Sequence, residues 1–381
     1  MQEQMVTKKY FLDMVSSSIK GLPVPHCPDE VDTSLLYKLC VRNAVQGILY
    51  LAVQSGAVTL SAENEVKLQK SYMAILAREA TQQEEIEYIK NAFNEENIEF
   101  MFLKGTHLKS LYPVPEMRFM VDMDILVKEK SMDKGGELIL SRGFTQEMNN
   151  GKDIVLVKKP FLTIELHKML FVEDYFMHDY FKSVWNRVEK VSSCEYKMPI
   201  SDLYVYTLAH LAEHYLEAGS CFRPLMDLYL MEKTYTELDF DYIKKQFERI
   251  GIDKFALKIR QLYKCAFDDA EYNYDLITME NYIVFGAPVK NASEVSKVAI
   301  TKKSKSKRFM ESAFPNLKHM KLKYSILKKA PFLLPFFWVV RFFEFVFLKK
   351  GSIEQKQAKI SNVDQESTDI MREIFEKSGL K

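Results

Sequence analysis

Acids that alternate with apolar residues on two short segments constrain the fold of this chain more than any other feature. The segment 121–127 reads VDMDILV, which is typical of a strand. Since strand side chains alternate between two faces, Asp122 and Asp124 share one face and the apolar residues share the other. The segment 162–167, LTIELH, alternates in the same way and carries Glu165. The sequence therefore predicts a sheet with one apolar face and one acidic face.

If these two strands pair, the carboxylates of Asp122, Asp124 and Glu165 converge. Such a cluster repels itself and raises at least one pKa unless cations neutralise it. Carboxylates suit Mg²⁺ or Mn²⁺, and two such ions are used in phosphoryl and nucleotidyl transfer. The alternative is that Asp-X-Asp marks a solvated strand end. His167 follows Glu165 on the same face, either supporting the metal ligands from behind or serving a structural role.

The segment 100–106, FMFLKGT, predicts a phosphate-binding turn. It reads as a strand that enters a glycine turn and then a helix over 106–111. A helix N-terminus offers free N–H groups to an anion, and Lys104 adds a positive charge. We expect Lys104, Gly105 and Thr106 to hold a triphosphate.

A proline-containing loop delivers Arg118 four residues before Asp122. Arg118 is therefore predicted either to clamp a phosphate or to form a structural salt bridge with one of the acids.

These motifs occur in a characteristic order, namely Leu103-Lys104-Gly105, Tyr112, Arg118, Asp122 to Val127 and Ile164-Glu165-Leu166-His167. In this the chain resembles the bacterial uncharacterised nucleotidyltransferase family, a branch of the polymerase-beta-type nucleotidyltransferase superfamily. The resemblance extends over about 35–350 and is densest over 100–170. It departs from the superfamily at the phosphate turn, where Lys104-Gly105 replaces the usual Gly-Ser pair.

The resemblance implies transfer of a nucleoside monophosphate from a nucleoside triphosphate to a hydroxyl. Two ions, Mg²⁺ or Mn²⁺, would be held by Asp122, Asp124 and Glu165. A shared fold does not identify the acceptor, so a small molecule, an RNA end and a protein remain alternatives. The alternative on the same fold is a pseudoenzyme that binds nucleotide without transferring it.

One motif favours a different enzyme. His210, Glu213 and His214 match H-x-x-E-H, which in one class of zinc peptidases supplies two histidine ligands and a glutamate base. No third ligand is evident. The resemblance instead suggests that both histidines line the cleft beside the sheet, and a third reading makes them half-buried histidines paired with Asp227 or Glu217.

Arg223 and Asp227 lie four positions apart where a helix is predicted to begin. The spacing favours a local ion pair, and the alternative is recognition of the nucleotide or acceptor by Asp227.

Composition is that of a globular protein without a strong charge. The 381 residues are 47% hydrophobic and 28% charged. The net charge is only +1, so the overall charge does not indicate binding to nucleic acid. Residues 1–20 contain Glu3 and Asp13 without an apolar core, so we expect no signal peptide and a cytoplasmic location. The 5 cysteines show no C-x-x-C spacing and predict neither a zinc site nor a disulfide framework.

Periodicity predicts an α/β (α+β) fold in which a small mixed-sheet domain is flanked by helical regions. The expected strands are 100–103, 121–127, 153–158 and 161–167, with a helix over 129–141. The expected divisions are an N-terminal helical region 1–98, a nucleotidyltransferase domain 99–190, a helical domain 191–350 and a polar tail 351–381.

The helical domain contains a basic segment followed by an aromatic one. Residues 302–329 hold 10 Lys or Arg against 1 acid, and 331–348 are rich in Phe. We expect 331–348 to pack against the helical domain, and the alternative is peripheral contact of 302–348 with an anionic membrane. A helix over this aromatic stretch is too short to span a bilayer.

Overall fold

The computed structural model describes residues 2–173, 175–217, 219, 221–301, 314, 317, 320, 324–340 and 364–380. The chain divides into two compact units. The first comprises Met1–Tyr215, Ser220–Gly286 and Ser378–Leu380, and the second comprises Leu216–Gly219, Ala287–Lys377 and Lys381. The sheet and the candidate site belong to the first unit. The sequence-based divisions at 98, 190 and 350 remain predictions.

Among the described residues, seven strands form one mixed sheet. They are β1 (Phe100–Phe102), β2 (Met123–Val127), β3 (Thr145–Asn149), β4 (Asp153–Lys158), β5 (Leu162–His167), β6 (Glu189–Lys190) and β7 (Glu195–Lys197). Their order across the sheet is β3-β4-β5-β2-β1-β7-β6. β2 is parallel to β5 and β1 is parallel to β7, whereas the other neighbours are antiparallel. The predicted α/β class is confirmed.

All four predicted strands are present, with β2 beginning one residue after Asp122. Three strands were not predicted. β3 reads TQEMN and exposes all five side chains, so it lacks the apolar alternation that marks a half-buried strand. β6 and β7 are only two and three residues long.

The first unit is rich in helices, and the helical periods expected on both sides of the sheet are present. They are α1 (Gln2–Ile19), α2 (Thr33–Arg42), α3 (Gln46–Gln54), α4 (Ala62–Glu95), α5 (Gly105–Leu108), α6 (Met132–Ser141), α7 (His178–Phe181), α8 (Ile200–Leu216), α9 (Arg223–Thr234), α10 (Phe240–Ile250), α11 (Asp253–Phe267) and α12 (Tyr274–Phe285). The predicted helix 129–141 starts as a 3₁₀ turn, Glu129–Ser131, and becomes α-helical at Met132.

One face of the sheet is covered by α4 and α6. Alternate side chains of β2 and β5 join this core, including Met123, Ile125 and Leu166. Phe93 from α4 and Ile139 from α6 pack against them and are almost fully buried. Since this apolar face uses every second residue of each strand, the acids between them must point to the other face.

The second unit contains α13 (Ala292–Thr301), a helical stretch over 334–340 and most of a last helix, Gln365–Ser378. Much of 302–329 and all of 341–348 lie outside the described residues. Phe332, Phe336 and Val339 are 80%, 60% and 53% exposed, so the predicted packing of 331–348 into a core is wrong for these three side chains. Within the described ranges, every helix is too short or too polar to cross a membrane.

Candidate active site

The three predicted acids gather on the sheet face opposite the apolar core. Asp124 of β2 and Glu165 of β5 are register partners on adjacent parallel strands, and Asp122 immediately precedes β2. Burial raises the pKa of Asp122 and of Glu165, and the negative charge of Asp124 raises both further. The three carboxylates therefore form one electrostatically linked cluster.

His167 occupies the centre of this cluster. Its Nε2 atom lies 2.9 Å from Oδ1 of Asp124 and 3.8 Å from Oε2 of Glu165. Its Nδ1 atom lies 2.7 Å from Oδ1 of Asp153. Burial acts to lower the pKa of His167, but the hydrogen bonds to Asp124 and Asp153 raise it to about 9. The imidazole is therefore positively charged at neutral pH in this structure.

Asp124 is the strongest acid of the group. Burial acts to raise its pKa, but the hydrogen bond from His167 and the charges of Lys104 and Arg223 lower the pKa to about 2. Asp124 is therefore ionised at any physiological pH.

The donor set fits the divalent cation that the sequence resemblance implies. One ligand atom each from Asp124, Glu165 and His167 lie within 4.8 Å of one another, and the described part of the chain offers no second group of this kind. Two of these donors are carboxylates, the ligand type that Mg²⁺ and Mn²⁺ prefer.

Asp153 was missed in the sequence analysis. It begins β4 and is the register partner of His167 across the antiparallel pair β4–β5. A signal was present, since the short turn between the predicted strands 153–158 and 161–167 makes residues 153 and 167 opposite each other.

The predicted phosphate turn lies beside the acids. Lys104 is 9% exposed, and its Nζ lies 5.0 Å from the centre of the Tyr206 ring. Burial lowers the pKa of Lys104 to about 8, although the negative charges of Asp124 and Asp122 act in the opposite direction. Among the described residues, the buried hydroxyl of Thr106 has no hydrogen-bond partner, which leaves it able to bind a ligand oxygen.

The helix after this turn is shorter than predicted. It consists of α5, four residues long, followed by a 3₁₀ turn at Lys109–Leu111. A helix this short has a weak dipole, so any anion binding here depends on the Lys104 charge and on individual N–H and hydroxyl groups. A Cβ atom on Gly105 would overlap the buried Met120 sulfur, which explains why this position lacks a side chain.

Arg118 is part of a buried ion pair that joins the loop before β2 to α9. Its Nε lies 2.7 Å from Oδ1 of Asp227 and its second terminal nitrogen lies 2.8 Å from Oδ2. The Tyr112 hydroxyl donates to the same carboxylate at 2.7 Å. Arg118 thus forms a structural salt bridge, but its partner is Asp227 and not one of the cluster acids. The geometry does not favour Arg118 as a phosphate clamp, because the two nitrogens that would bind a phosphate side by side already donate to Asp227.

The predicted local ion pair between Arg223 and Asp227 is wrong. Arg223 is the first residue of α9, and its terminal nitrogen donates to the Phe119 carbonyl at 2.6 Å. Asp227 is one turn further and is already paired with Arg118. Arg223 lies close enough to the acids to lower the pKa of both Asp122 and Asp124. It is therefore a cation of the site.

Arg78 of α4 is a further cation near the acids, and sequence reasoning missed it. Its guanidinium lies 4.8 Å from the Phe119 ring centre and 5.6 Å from that of Phe161. Burial lowers the pKa of Arg78, and the negative charge of Asp122 acts against this. In the described portion of the chain its Nε has no hydrogen-bond partner. No local motif marks Arg78, because it lies in a long polar helix.

Comparison with known proteins identifies the family of this chain. The profile of a protein family described as "Uncharacterised nucleotidyltransferase" matches residues 29–268, well over half of the chain. The chain belongs to this nucleotidyltransferase family. The resemblance inferred from the motifs is thereby confirmed. Comparison with curated proteins found no match, and comparison with solved structures found none.

In this member of the family, α8 brings two histidines toward the acids. His210 and His214 lie one turn apart with their Nε2 atoms 3.2 Å apart. Burial and the charges of Lys104 and Arg223 lower the pKa of His214 to about 4 and that of His210 well below its ordinary value. Both imidazoles are therefore neutral at pH 7. His210, Glu213 and His214 do not form a three-donor metal group within the described ranges, so the geometry does not favour the zinc peptidase.

Proposed function

We propose that this protein transfers a nucleoside monophosphate from a nucleoside triphosphate to a hydroxyl acceptor. Two divalent ions, Mg²⁺ or Mn²⁺, would be held by Asp122, Asp124 and Glu165. The observation that carries the proposal is the pairing of Asp124 with Glu165 on adjacent parallel strands beside the buried amine of Lys104. Acids crowded in this way repel one another as anions, and cations bound among them relieve that repulsion.

Each acid would have a distinct task. The bound ions would supply positive charge at the reacting phosphate and acidify the acceptor hydroxyl. Asp122 and Asp124 would hold the ions on the donor side. Glu165 would orient the acceptor hydroxyl and accept its proton. Burial and the charge of Asp124 raise the pKa of Glu165, which makes it a better proton acceptor.

The phosphates would be bound by the turn and by two arginines. Lys104, Gly105 and Thr106 would hold the triphosphate through an ammonium group, a closely approaching backbone and a hydroxyl. Arg78 and Arg223, both close to the acids, would neutralise the departing pyrophosphate. Arg118 would act indirectly, since its guanidinium also contacts the Gly105 carbonyl at 3.4 Å and supports the turn.

The acceptor would enter on the side of α8. Tyr206, His210 and His214 are there, and neutral imidazoles can donate to or accept from a hydroxyl group. These groups suit a small alcohol, an RNA end or a protein hydroxyl equally well.

A peripheral contact with an anionic membrane is part of the proposal. It is supported by the excess of basic residues in 302–329 and by the exposed side chains of Phe332 and Phe336. Basic residues beside exposed aromatics bind anionic lipid through charge and apolar burial together.

The proposal is tested by thermal unfolding of the full chain with each of the four nucleoside triphosphates, with and without Mg²⁺ or Mn²⁺. A ligand at 100 times its dissociation constant adds about 2.7 kcal/mol to the free energy of unfolding, a shift that is easily measured. We expect one triphosphate to raise Tm in a metal-dependent way. Asp122→Asn/Asp124→Asn should abolish the shift, and Asp133→Asn, at an exposed acid of α6, should keep it.

Pyrophosphate release measured on the same samples separates the alternatives. Release with the shifting triphosphate supports the transferase. A shift without release, over a broad screen of hydroxyl acceptors, supports the pseudoenzyme. No shift with any triphosphate, together with a Zn²⁺ shift that His210→Ala removes, would contradict the proposal and favour the peptidase.

A further inference from the structure

His167 has the surroundings of a metal ligand, and this goes beyond a role behind the carboxylates. Its ring lies between Asp153 on one side and Asp124 and Glu165 on the other. β4, β5 and β2 are neighbours in the sheet, so these four side chains come from three adjacent strands. The rigid sheet therefore sets the direction of the ring.

Asp153 holds the imidazole from behind. Its carboxylate accepts the Nδ1–H proton at 2.7 Å, and the side chains of Asp153 and His167 are both 13% exposed. Metal-binding histidines usually donate their second ring N–H to a carboxylate or carbonyl, which fixes the ring orientation and raises ligand basicity. This contact leaves Nε2 as the atom directed at the cluster.

The distances from Nε2 match those expected around a single ion. Ligand atoms about 2.1 Å from an octahedral ion are separated by roughly 3 Å when adjacent and roughly 4 Å when opposite. Nε2 lies 2.9 Å from Asp124 Oδ1 and 3.8 Å from Glu165 Oε2. The proton on Nε2 now bridges to Asp124, and an ion in the same position would displace it to solvent.

We propose that Nε2 of His167 directly binds the ion shared by Asp124 and Glu165, that Asp153 positions it, and that the site prefers Mn²⁺ to Mg²⁺. The inference rests on the proposed function. It favours Mn²⁺ over Mg²⁺ as the bound ion, because an imidazole ligand suits transition-metal ions better than it suits Mg²⁺.

Electron spin echo spectroscopy of the full chain loaded with Mn²⁺ tests the coordination directly. A bound imidazole gives a ¹⁴N modulation, and labelling wild type with ¹⁵N-histidine should replace it with the ¹⁵N pattern. His167→Gln should remove the modulation and weaken Mn²⁺ binding at least tenfold. Asp153→Asn should keep the modulation and weaken binding on the order of ten- to hundredfold. His210→Gln removes another imidazole, one close enough to His167 for its charge to act on it, and should change neither.

Absence of ¹⁴N modulation in Mn²⁺-loaded wild type would overturn the inference, and this measurement does not depend on a variant folding. A modulation that survives in His167→Gln, or that disappears in His210→Gln, would also overturn it, as would equal Mg²⁺ and Mn²⁺ affinity. Metal-dependent pyrophosphate release by the same wild type without ¹⁴N coupling would refute His167 ligation and leave the proposed function standing. Failure to bind any divalent ion, with no triphosphate shift, would refute both.

Discussion

At the scale of single residues, the site is built from charges that the folded protein stabilises incompletely. Asp122 and Glu165 have raised pKa values and Lys104 has a lowered one, in each case chiefly because of burial. Asp124 is different because His167 donates a hydrogen bond to it. Residues that weaken the folded state when they are charged are expected where binding of an ion or a phosphate recovers the lost free energy.

Asp122→Asn should stabilise the protein in the absence of metal and abolish transfer. The folded-state pKa of Asp122 lies above its ordinary value of 3.8, because of burial and Asp124. Ionisation of this group therefore favours the unfolded chain, and stability falls as pH rises through the folded-state pKa. In urea unfolding from pH 4 to 8, the free energy of unfolding of the variant relative to wild type should increase toward pH 8. A variant that is less stable than wild type at pH 8 would contradict the assignment.

Lys104→Met should raise stability at pH 7 by about 1 to 3 kcal/mol and remove the triphosphate-induced rise in Tm. Burial lowers the pKa of Lys104 to about 8 from its ordinary 10.5. Below pH 8 the charged amine is present in both states and weakens the folded one. Stability of wild type should recover between pH 8 and 10.5 as the folded state loses its proton first, so the advantage of the variant shrinks there.

Urea unfolding of Lys104→Met and wild type at pH 7 and pH 10 measures this difference. Lys70→Met, which changes an exposed lysine of α4, provides the matched control and should leave both stability and the triphosphate effect unchanged. If Lys104→Met is destabilised at pH 7, the amine is held by contacts that outweigh its burial.

At the scale of elements, the site depends on how a turn and a loop are held against the helices that support them. The Gly105 turn lies against the Met120 side chain, and the loop before β2 is joined to α9 through Arg118 and Asp227. Each connection joins two segments that are separate in sequence, 105 with 120 in one case and 118 with 227 in the other.

Gly105→Ala should weaken triphosphate binding on the order of tenfold with the acids intact. The new methyl group would overlap the Met120 sulfur, so the turn must move away from the phosphates. The double variant Gly105→Ala/Met120→Ala should recover much of the affinity, measured by titration calorimetry. Gly136→Ala is the matched control, since its methyl would meet Ile154 at an ordinary 3.5 Å. Unchanged affinity in Gly105→Ala would show that the turn does not contact phosphate.

Arg118→Met should cost about 3 to 5 kcal/mol of folding free energy, because it leaves Asp227 buried without a positive partner. The two side chains are both 4% exposed. Arg118→Met/Asp227→Leu should recover part of the loss. Lys182→Met breaks the exposed pair with Asp179 and should cost far less, because solvent screens an exposed ion pair. Equal losses in urea unfolding of Arg118→Met and Lys182→Met would mean that the buried pair is not structural.

At the scale of the whole molecule, the chain combines a site in the first unit with exposed aromatic side chains in the second. The proposed peripheral contact predicts that the full chain sediments with vesicles containing phosphatidylglycerol and not with neutral vesicles, and that salt weakens the binding. Phe332→Ala/Phe336→Ala should reduce the bound fraction several-fold. Tyr274→Ala removes another aromatic side chain that is 70% exposed and should have no effect. Equal binding by both variants would contradict the assignment.

Much of the fold and part of the site could be predicted from sequence because they depend on local periodicity. The alternation in 121–127 and 162–167 identifies two strands and the face of each acid, and this follows from backbone geometry alone. The family was also recognisable, since its motifs are contiguous in sequence. β3 escaped prediction because all its side chains are exposed and no apolar alternation marks it.

By itself, then, the sequence determined the α/β class, the family, the strands that carry Asp124 and Glu165, and the position of Asp122 next to one of them. Only the tertiary structure decided which distant charges meet: Asp227 with Arg118, Arg223 with the Phe119 carbonyl, and Asp153 with His167. The reason is physical. A side chain's face on a strand follows from its own backbone, whereas the partner of a buried charge depends on how separate elements pack and on which group best replaces water.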